Sequence, residues 1–178
     1  MNHRDHVNLI KDGIPKGGTW ADLGSGRGAF TLALADCIGA ENTHIYSVDI
    51  DQSALKQQEM RMGVEFPDNK VTYIHGDFTQ QLNLPPLDGV LMANSLHFVR
   101  EKKEVIENIL AMLKPDGRLI LVEYNTNNGN YAVPYPITFE NWEALSERWG
   151  FAKTELLATR PSRFLGEFFS SVSFKQAP

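Results

Sequence analysis

The nonapeptide Trp20-Ala21-Asp22-Leu23-Gly24-Ser25-Gly26-Arg27-Gly28 narrows what this chain can become more than any other feature. Thr19 to Leu23 reads as a short buried strand and Gly24 to Gly28 as a tight turn. Ala29 to Ile38 reads as a helix with Phe30, Leu32, Ala33, Leu34 and Cys37 available for its inner face. A turn without side chains between a strand and a helix lets a ligand approach the backbone and its amide donors. Chains built on such units fold as layered α/β proteins with a mainly parallel sheet.

The remaining sequence continues the alternation. Thr43 to Val48 is a second strand ending at Asp49, and Gln52 to Met62 is a helix that Asp51 can cap. Val71 to His75 is a third strand. Leu87 to Ala93 is a nearly uninterrupted apolar run of the kind buried on both sheet faces. Glu101 to Leu113 reads as a helix closed by the turn Lys114-Pro115-Asp116-Gly117, which feeds a strand over Arg118 to Glu123. Asn125 to Ile137 carries four Asn, Gly129, Pro134 and Pro136, and reads as one long irregular loop. Phe139 to Trp149 is helical. Phe151 to Ala158 and Glu167 to Lys175 are strands separated by the turn Thr159 to Gly166, and with no helix between them they should pair antiparallel. Asp5 to Asp12, with Val7, Leu9 and Ile10, reads as a short amphipathic helix able to lie across a bound ligand. The expected organisation is a single domain over 1–178, with 1–18 an N-terminal helix or lid and 19–178 the sheet core.

Composition excludes several classes. A net charge of -5 and the lack of any Lys/Arg run argue against a nucleic-acid partner, because phosphate neutralisation needs a basic surface. One cysteine, Cys37, excludes an internal disulfide, and without a second thiol or a dense His cluster a metal site is not expected. Cys37 reads as a small core residue. His3 and His6, one helical turn apart, are given no metal role. The polar stretch Met1 to Asp12 does not read as a secretory signal, and no apolar run approaches the roughly 18 residues that span a bilayer. A cytoplasmic protein without a membrane partner is expected, and its oligomeric state is left open.

Three carboxylates fall at successive strand ends. Asp22, two residues before Gly24, is poorly placed for a pyrophosphate but suits a cationic ammonium or sulfonium. Asp49 stands about twenty residues beyond the loop, where a carboxylate accepts both hydroxyls of a ribose. Asp77, in Gly76-Asp77-Phe78, can accept from an exocyclic adenine amine while Phe78 flanks the ring. Gly24, Gly26 and Ala29 also satisfy the G-x-G-x-x-A dinucleotide fingerprint, so a nicotinamide enzyme stays open at this point. Three aspartates in register are more specific than any glycine pattern.

Together with Val48-Asp49-Ile50 and Leu113-Lys114-Pro115-Asp116-Gly117-Arg118-Leu119, these segments resemble the ordered motifs of the class I (Rossmann-like) S-adenosylmethionine-dependent methyltransferases, over nearly the whole chain. The resemblance implies an α/β fold with a doubly wound, seven-stranded, mostly parallel sheet and an antiparallel C-terminal strand pair. It further implies transfer of a methyl group from S-adenosylmethionine to an unidentified acceptor, by default a small molecule. By carry-over, Asp22 and the loop residues Gly24, Ser25, Gly26 and Gly28 face the methionine part, Asp49 the ribose, and Asp77 with Phe78 the adenine. Ile50, Gly76 and Asn94 complete the expected cofactor contacts. Asp116 departs from the family, which more often has glycine there. A noncatalytic S-adenosylmethionine-binding sensor or partner subunit, and then an NAD-dependent oxidoreductase, are the alternatives.

Candidates for the chemistry follow from the resemblance, which implies an active-site face beyond the ends of the fourth and fifth strands. His97, in Asn94-Ser95-Leu96-His97-Phe98 after the fourth strand, can serve as a general base toward an oxygen or nitrogen acceptor. Tyr124 ends the fifth strand, and with Tyr131 and Tyr135 of the long loop can wall an acceptor. Arg160 and Arg163, in the turn between the last strands, can bind an anionic group on the substrate.

Overall fold

The computed structural model describes residues 1–176. Helix α1 (His3–Ile10) leads through a short 3-10 turn into strand β1 (Gly18–Leu23), helix α2 (Ala29–Ile38), β2 (Thr43–Asp49), α3 (Gln52–Glu65) and β3 (Val71–His75). The second half runs β4 (Leu87–Ala93), α4 (Lys102–Met112), β5 (Leu113–Tyr124), α5 (Phe139–Arg148), β6 (Phe151–Ser162) and β7 (Gly166–Lys175). The seven strands form one sheet in the order β3-β2-β1-β4-β5-β7-β6. The first five are parallel and β7 is antiparallel to both β5 and β6. The doubly wound sheet with an antiparallel C-terminal pair is therefore observed.

Alternation along the strands divides the core between the two faces. Trp20, Leu91, Ile120 and Val122 pack under α1 and α2, with Leu9, Ile10, Leu34 and Ile38 against them. Leu23, Val90, Met92 and Leu121 face the opposite way, onto Val105, Ile106 and Ile109 of α4 and Trp142 of α5. Cys37 is buried in the first of these clusters, and burial pushes its thiol up to about 11. Helix α1 is capped by Asn2 in a capping box with Asp5 and packs on α2 and the β6–β7 pair, where Ser170 donates to Leu9 O at 2.5 Å. Among the described residues no helix is long and apolar enough to cross a membrane.

The observed boundaries depart furthest from the sequence expectation at β5 and β6, each for a local reason. The stretch after α4 pairs as part of β5, with the register jumping from Leu87–Leu113 to Gly89–Arg118, so the segment from Lys114 to Gly117 loops out of a strand that has already begun. Asp116 adopts a left-handed φ of 63° at the crest of that loop, a conformation that favours glycine and that Asp tolerates better than most residues. The expected turn over Thr159 to Gly166 shrinks to Arg163–Leu165, because β6 continues to Ser162. β6 is the sheet edge, so the N–H that Pro161 lacks is not missed by a neighbouring strand.

Candidate functional site

A cleft of about 320 Å³ opens at the carboxyl ends of the parallel strands. It lies where the winding of the sheet reverses, between β1 and β4, the place where open α/β sheets admit ligands. Each of the first four strands contributes to its wall: Gly24 after β1, Asp49 and Ile50 at the end of β2, Gly76 to Thr79 after β3, and Asn94 and Ser95 after β4. Phe98, the last residue of a 3-10 turn over Leu96–Phe98, and Val99 after it close the cleft.

Asp49 joins the glycine turn to the second strand. Its Oδ2 accepts the Gly26 amide at 2.7 Å and its Oδ1 the Asp51 amide at 2.7 Å. Each carboxylate oxygen keeps a further lone pair for a ligand hydroxyl. Asp77 uses Oδ1 for the amide and hydroxyl of Thr79, at 2.8 and 2.7 Å, and its Oδ2 is unengaged among the described residues. Asn94 adopts a left-handed φ of 56°, and its Oδ1 is buried without a hydrogen-bond partner. A buried acceptor left unmatched costs on the order of 1–3 kcal/mol, and Asn94 is the residue with such an atom that lines the cleft.

Asp22 does not line the cleft. Counting by twos from Trp20 directs its side chain to the α2 face, where its Oδ2 accepts the Thr31 hydroxyl at 2.6 Å and the residue is 1% exposed. Burial raises its carboxyl to about 7, with the nearby Asp49 charge acting in the same direction and the Thr31 bond opposing it. Beneath the loop, the Ser25 hydroxyl pairs with Ser47 at 2.7 Å and Ser47 with the buried Gln58, so the glycine turn is braced from β2 and α3. Ser25, Gly26 and Gly28 support the rim without facing the cleft, whereas Gly24, Asp49, Ile50, Gly76, Asp77, Phe78 and Asn94 line it. Thr79, Ser95, Phe98 and Val99 line it as well and were not among the sequence candidates. Ser95 anchors the segment after β4 through a 2.7 Å bond to Leu23 O.

His97 is 3% exposed, and its Nδ1 lies 2.6 Å from Oε2 of Glu123, a fully buried residue at the end of β5. The His97 amide donates to the other carboxylate oxygen, Oε1, at 3.1 Å. Glu123 was not a sequence candidate; the available signal was a lone acid closing the apolar strand run before it. Tyr124 packs against Phe168 in a tilted pair at 4.2 Å between centroids and stands 6.3 Å from the His97 ring. Burial, and then the Glu123 charge, raise its phenol.

The long loop is fastened over this region. Tyr135 donates its amide to His97 O at 3.0 Å, and Lys102 Nζ donates to Val99 O and Tyr135 O at 2.7 and 2.8 Å. Tyr131 is 96% exposed and meets none of these groups, and Arg160 is held by Asp5 of α1 at 2.8 Å. Arg163 is exposed in the β6–β7 turn. No residue of α1 contributes to the cleft wall. His3 and His6 are engaged separately, with Asp36 and with the Phe30 ring. Among the described residues no group of three or more potential ligands is arranged to hold a metal ion.

Comparison with known proteins agrees with this architecture. The family described as "Methyltransferase domain" matches residues 21–119, more than half of the chain. The carboxy-S-adenosyl-L-methionine synthase of Chromohalobacter salexigens is 30% identical over 104 residues, covering 57% of this chain and 38% of the relative. The ubiquinone/menaquinone biosynthesis C-methyltransferase UbiE of Azotobacter vinelandii is 28% identical over 115 residues, covering 64% and 45%. The chain thus spans less than half the length of these two curated relatives. Among solved structures, the Burkholderia thailandensis 1,6-didemethyltoxoflavin-N1-methyltransferase, with 1,6-didemethyltoxoflavin and S-adenosylhomocysteine bound, superposes with a TM-score of 0.74. It shares 18% identity, over 98% of this chain and 78% of that one. With the strand order, the glycine turn and the cleft between β1 and β4 in place, the chain belongs to the methyltransferase-domain family, the class I S-adenosylmethionine-dependent enzymes.

Proposed function

We propose that this protein transfers the methyl group of S-adenosylmethionine to a small-molecule acceptor, with the cofactor held in the cleft between β1 and β4. The reading is carried by the unused acceptors that converge there: Asp77 Oδ2, the buried Asn94 Oδ1 and the remaining lone pairs of Asp49. They match the donors of an adenosine bearing an amino acid: the adenine amine for Asp77, the ammonium for Asn94 and the ribose hydroxyls for Asp49. Phe78 and the 70%-exposed Ile50 supply apolar surface for the ring system. Asp22 acts from below, fixing the start of α2 through Thr31 rather than touching the ligand.

The bound cofactor supplies a methyl group already activated on a positively charged sulfur. What the chain must add is alignment of the acceptor with that methyl and exclusion of water. Effective molarities for well-aligned partners reach about 10⁵ M or more, so orientation alone supplies much of the rate. A small acceptor fits the net charge of -5, which disfavours polyanions, and fits the heterocycle named with the Burkholderia enzyme. A cytoplasmic location is in keeping with the single free cysteine.

The test is a calorimetric titration of the protein with S-adenosylmethionine, S-adenosylhomocysteine and NADH, followed by S-adenosylhomocysteine release in the presence of an acceptor panel. Micromolar binding of the adenosyl ligands with turnover is expected. Preferential binding of NADH would sink the cofactor assignment. Tight binding with no turnover across the panel would favour a sensor.

A further inference from the structure

Beneath the glycine turn, a chain of three polar side chains runs from α3 toward the rim of the cleft: Gln58 of the helix, Ser47 of β2 and Ser25 of the turn itself. Gln58 and Ser47 are fully buried. The Ser47 hydroxyl oxygen lies 2.9 Å from Nε2 and 3.1 Å from Oε1 of Gln58, and 2.7 Å from the Ser25 hydroxyl. Buried polar groups that close on one another in this way act as a unit, because displacing one strips the others of partners that water cannot replace. None of the three lines the cleft.

The unit bears on the turn at two points. Ser25 is held through its hydroxyl, and Gly28, at a φ of 81°, rests directly on the Gln58 side chain, which leaves no room for a Cβ. The turn itself has few donors free for a ligand. The Gly24 and Ser25 amides go to Val48 O at 2.9 and 3.1 Å, the Gly26 amide to Asp49 Oδ2 at 2.7 Å and the Gly28 amide to Ser25 O at 3.0 Å. What the turn presents to the cleft is therefore the shape of its backbone at Gly24, and that shape is held from beneath by Gln58. Gly24 in turn sits against the side chain of Ser95, the neighbour of Asn94, to which the reading above gives the ammonium. The adenosine side of the cleft is held by other bonds: Asp77 by Thr79, and Asp49 at its second oxygen by the Asp51 amide.

We propose that Gln58 is a positioning residue for the amino-acid end of the cofactor, fixing the glycine turn through Ser47 and Ser25 and through its direct support of Gly28. The inference rests on the methyl-transfer reading above, which makes the cleft the S-adenosylmethionine site. Gln58 touches no ligand atom. Its effect is confined to the end of the ligand that the turn and Asn94 receive, while the adenosine keeps its own partners.

The experiment is isothermal titration of the full chain with two ligands, S-adenosylhomocysteine and 5′-methylthioadenosine, which share the adenosine and differ in the amino-acid end. Gln58→Met keeps the length of the side chain and removes its hydrogen bonds. It should weaken S-adenosylhomocysteine at least about tenfold and leave methylthioadenosine within about twofold. Ser25→Ala breaks the same chain at its far, half-buried end and should show the same preference, so the test stands even where Gln58→Met fails to fold. The double variant should bind S-adenosylhomocysteine no more weakly than Gln58→Met alone, because both substitutions dismantle one unit. Equal losses for the two ligands, losses that add in the double variant, or full S-adenosylhomocysteine affinity in Gln58→Met overturns the positioning role while leaving the cofactor site standing. Failure of the unaltered chain to bind S-adenosylhomocysteine overturns the methyl-transfer reading itself.

Discussion

Asp22 and Thr31 are joined by a 2.6 Å hydrogen bond across the interface of β1 and α2, with both residues buried beneath the glycine turn. The bond ties the strand before the turn to the helix after it, so the turn is clamped at both flanks. It does so with a carboxyl whose folded-state value, about 7, lies well above its ordinary 3.8.

That displacement sets a pH dependence. A carboxyl raised on folding binds its proton more tightly in the native state, so stability from this group is highest in acid and falls as pH rises from about 4 through 7. The ceiling of the loss is on the order of 4 kcal/mol. Asp22→Asn, which cannot ionise, should therefore gain stability relative to the unaltered protein between pH 5 and pH 8. Thermal unfolding of both proteins across that range checks it, and a stability difference independent of pH would contradict the assignment.

Asp49 is expected to matter through the ligand instead. Asp49→Ala removes a carboxylate whose oxygens already receive the Gly26 and Asp51 amides, together with its capacity for ribose hydroxyls. Loss of charge-assisted hydrogen bonds predicts about 2 kcal/mol, or roughly thirtyfold, in S-adenosylhomocysteine affinity. Isothermal titration measures it, and an unchanged dissociation constant would remove Asp49 from the site.

The strand tips were legible because a period of two and a glycine turn fix where a parallel strand ends, which is why Asp49 and Asp77 reach the cleft as expected. Asp22 was read from its distance to Gly24, and that distance ignores the alternation that sends it under α2 with Trp20. The pairing of His97 with Glu123 spans 26 residues and depends on β4 and β5 being neighbours, which spacing along the chain does not reveal. Lys102 looks like a solvated first-turn lysine in sequence, yet its ammonium is consumed by the loop that covers it. Arg160 was read as a free cation for the same reason, its partner Asp5 lying far away in the chain.

Gly28 tests the bracing of the turn. It holds a φ of 81°, and a Cβ there would collide with Gln58, which is itself buried and bonded to Ser47. Gly28→Ala should cost about 2–3 kcal/mol from the left-handed backbone and the clash together. Gly26, with a φ of 53° but open space around its Cα, provides the control and should lose only about 1 kcal/mol. Urea unfolding of the two variants reads the difference, and equal losses would show that strain alone, not packing against α3, governs the turn.

Lys102 governs the loop. Lys102 is buried, which holds its ammonium below its usual value, and that ammonium donates to Val99 O on one side and Tyr135 O on the other. Lys102→Met keeps the stem and removes both bonds, leaving two carbonyls to find water. A stability loss of about 1–3 kcal/mol is expected from the lost charged donor. The more specific consequence is local, because the Tyr135 amide donates to His97 O across the same junction. Hydrogen exchange at Tyr135 should accelerate at least tenfold beyond the global change, while the Leu121 amide in the middle of β5 follows global stability alone. Uniform acceleration at both amides would mean that the loop is held by its apolar anchors Val133 and Ile137, and that Lys102 merely occupies the gap between them.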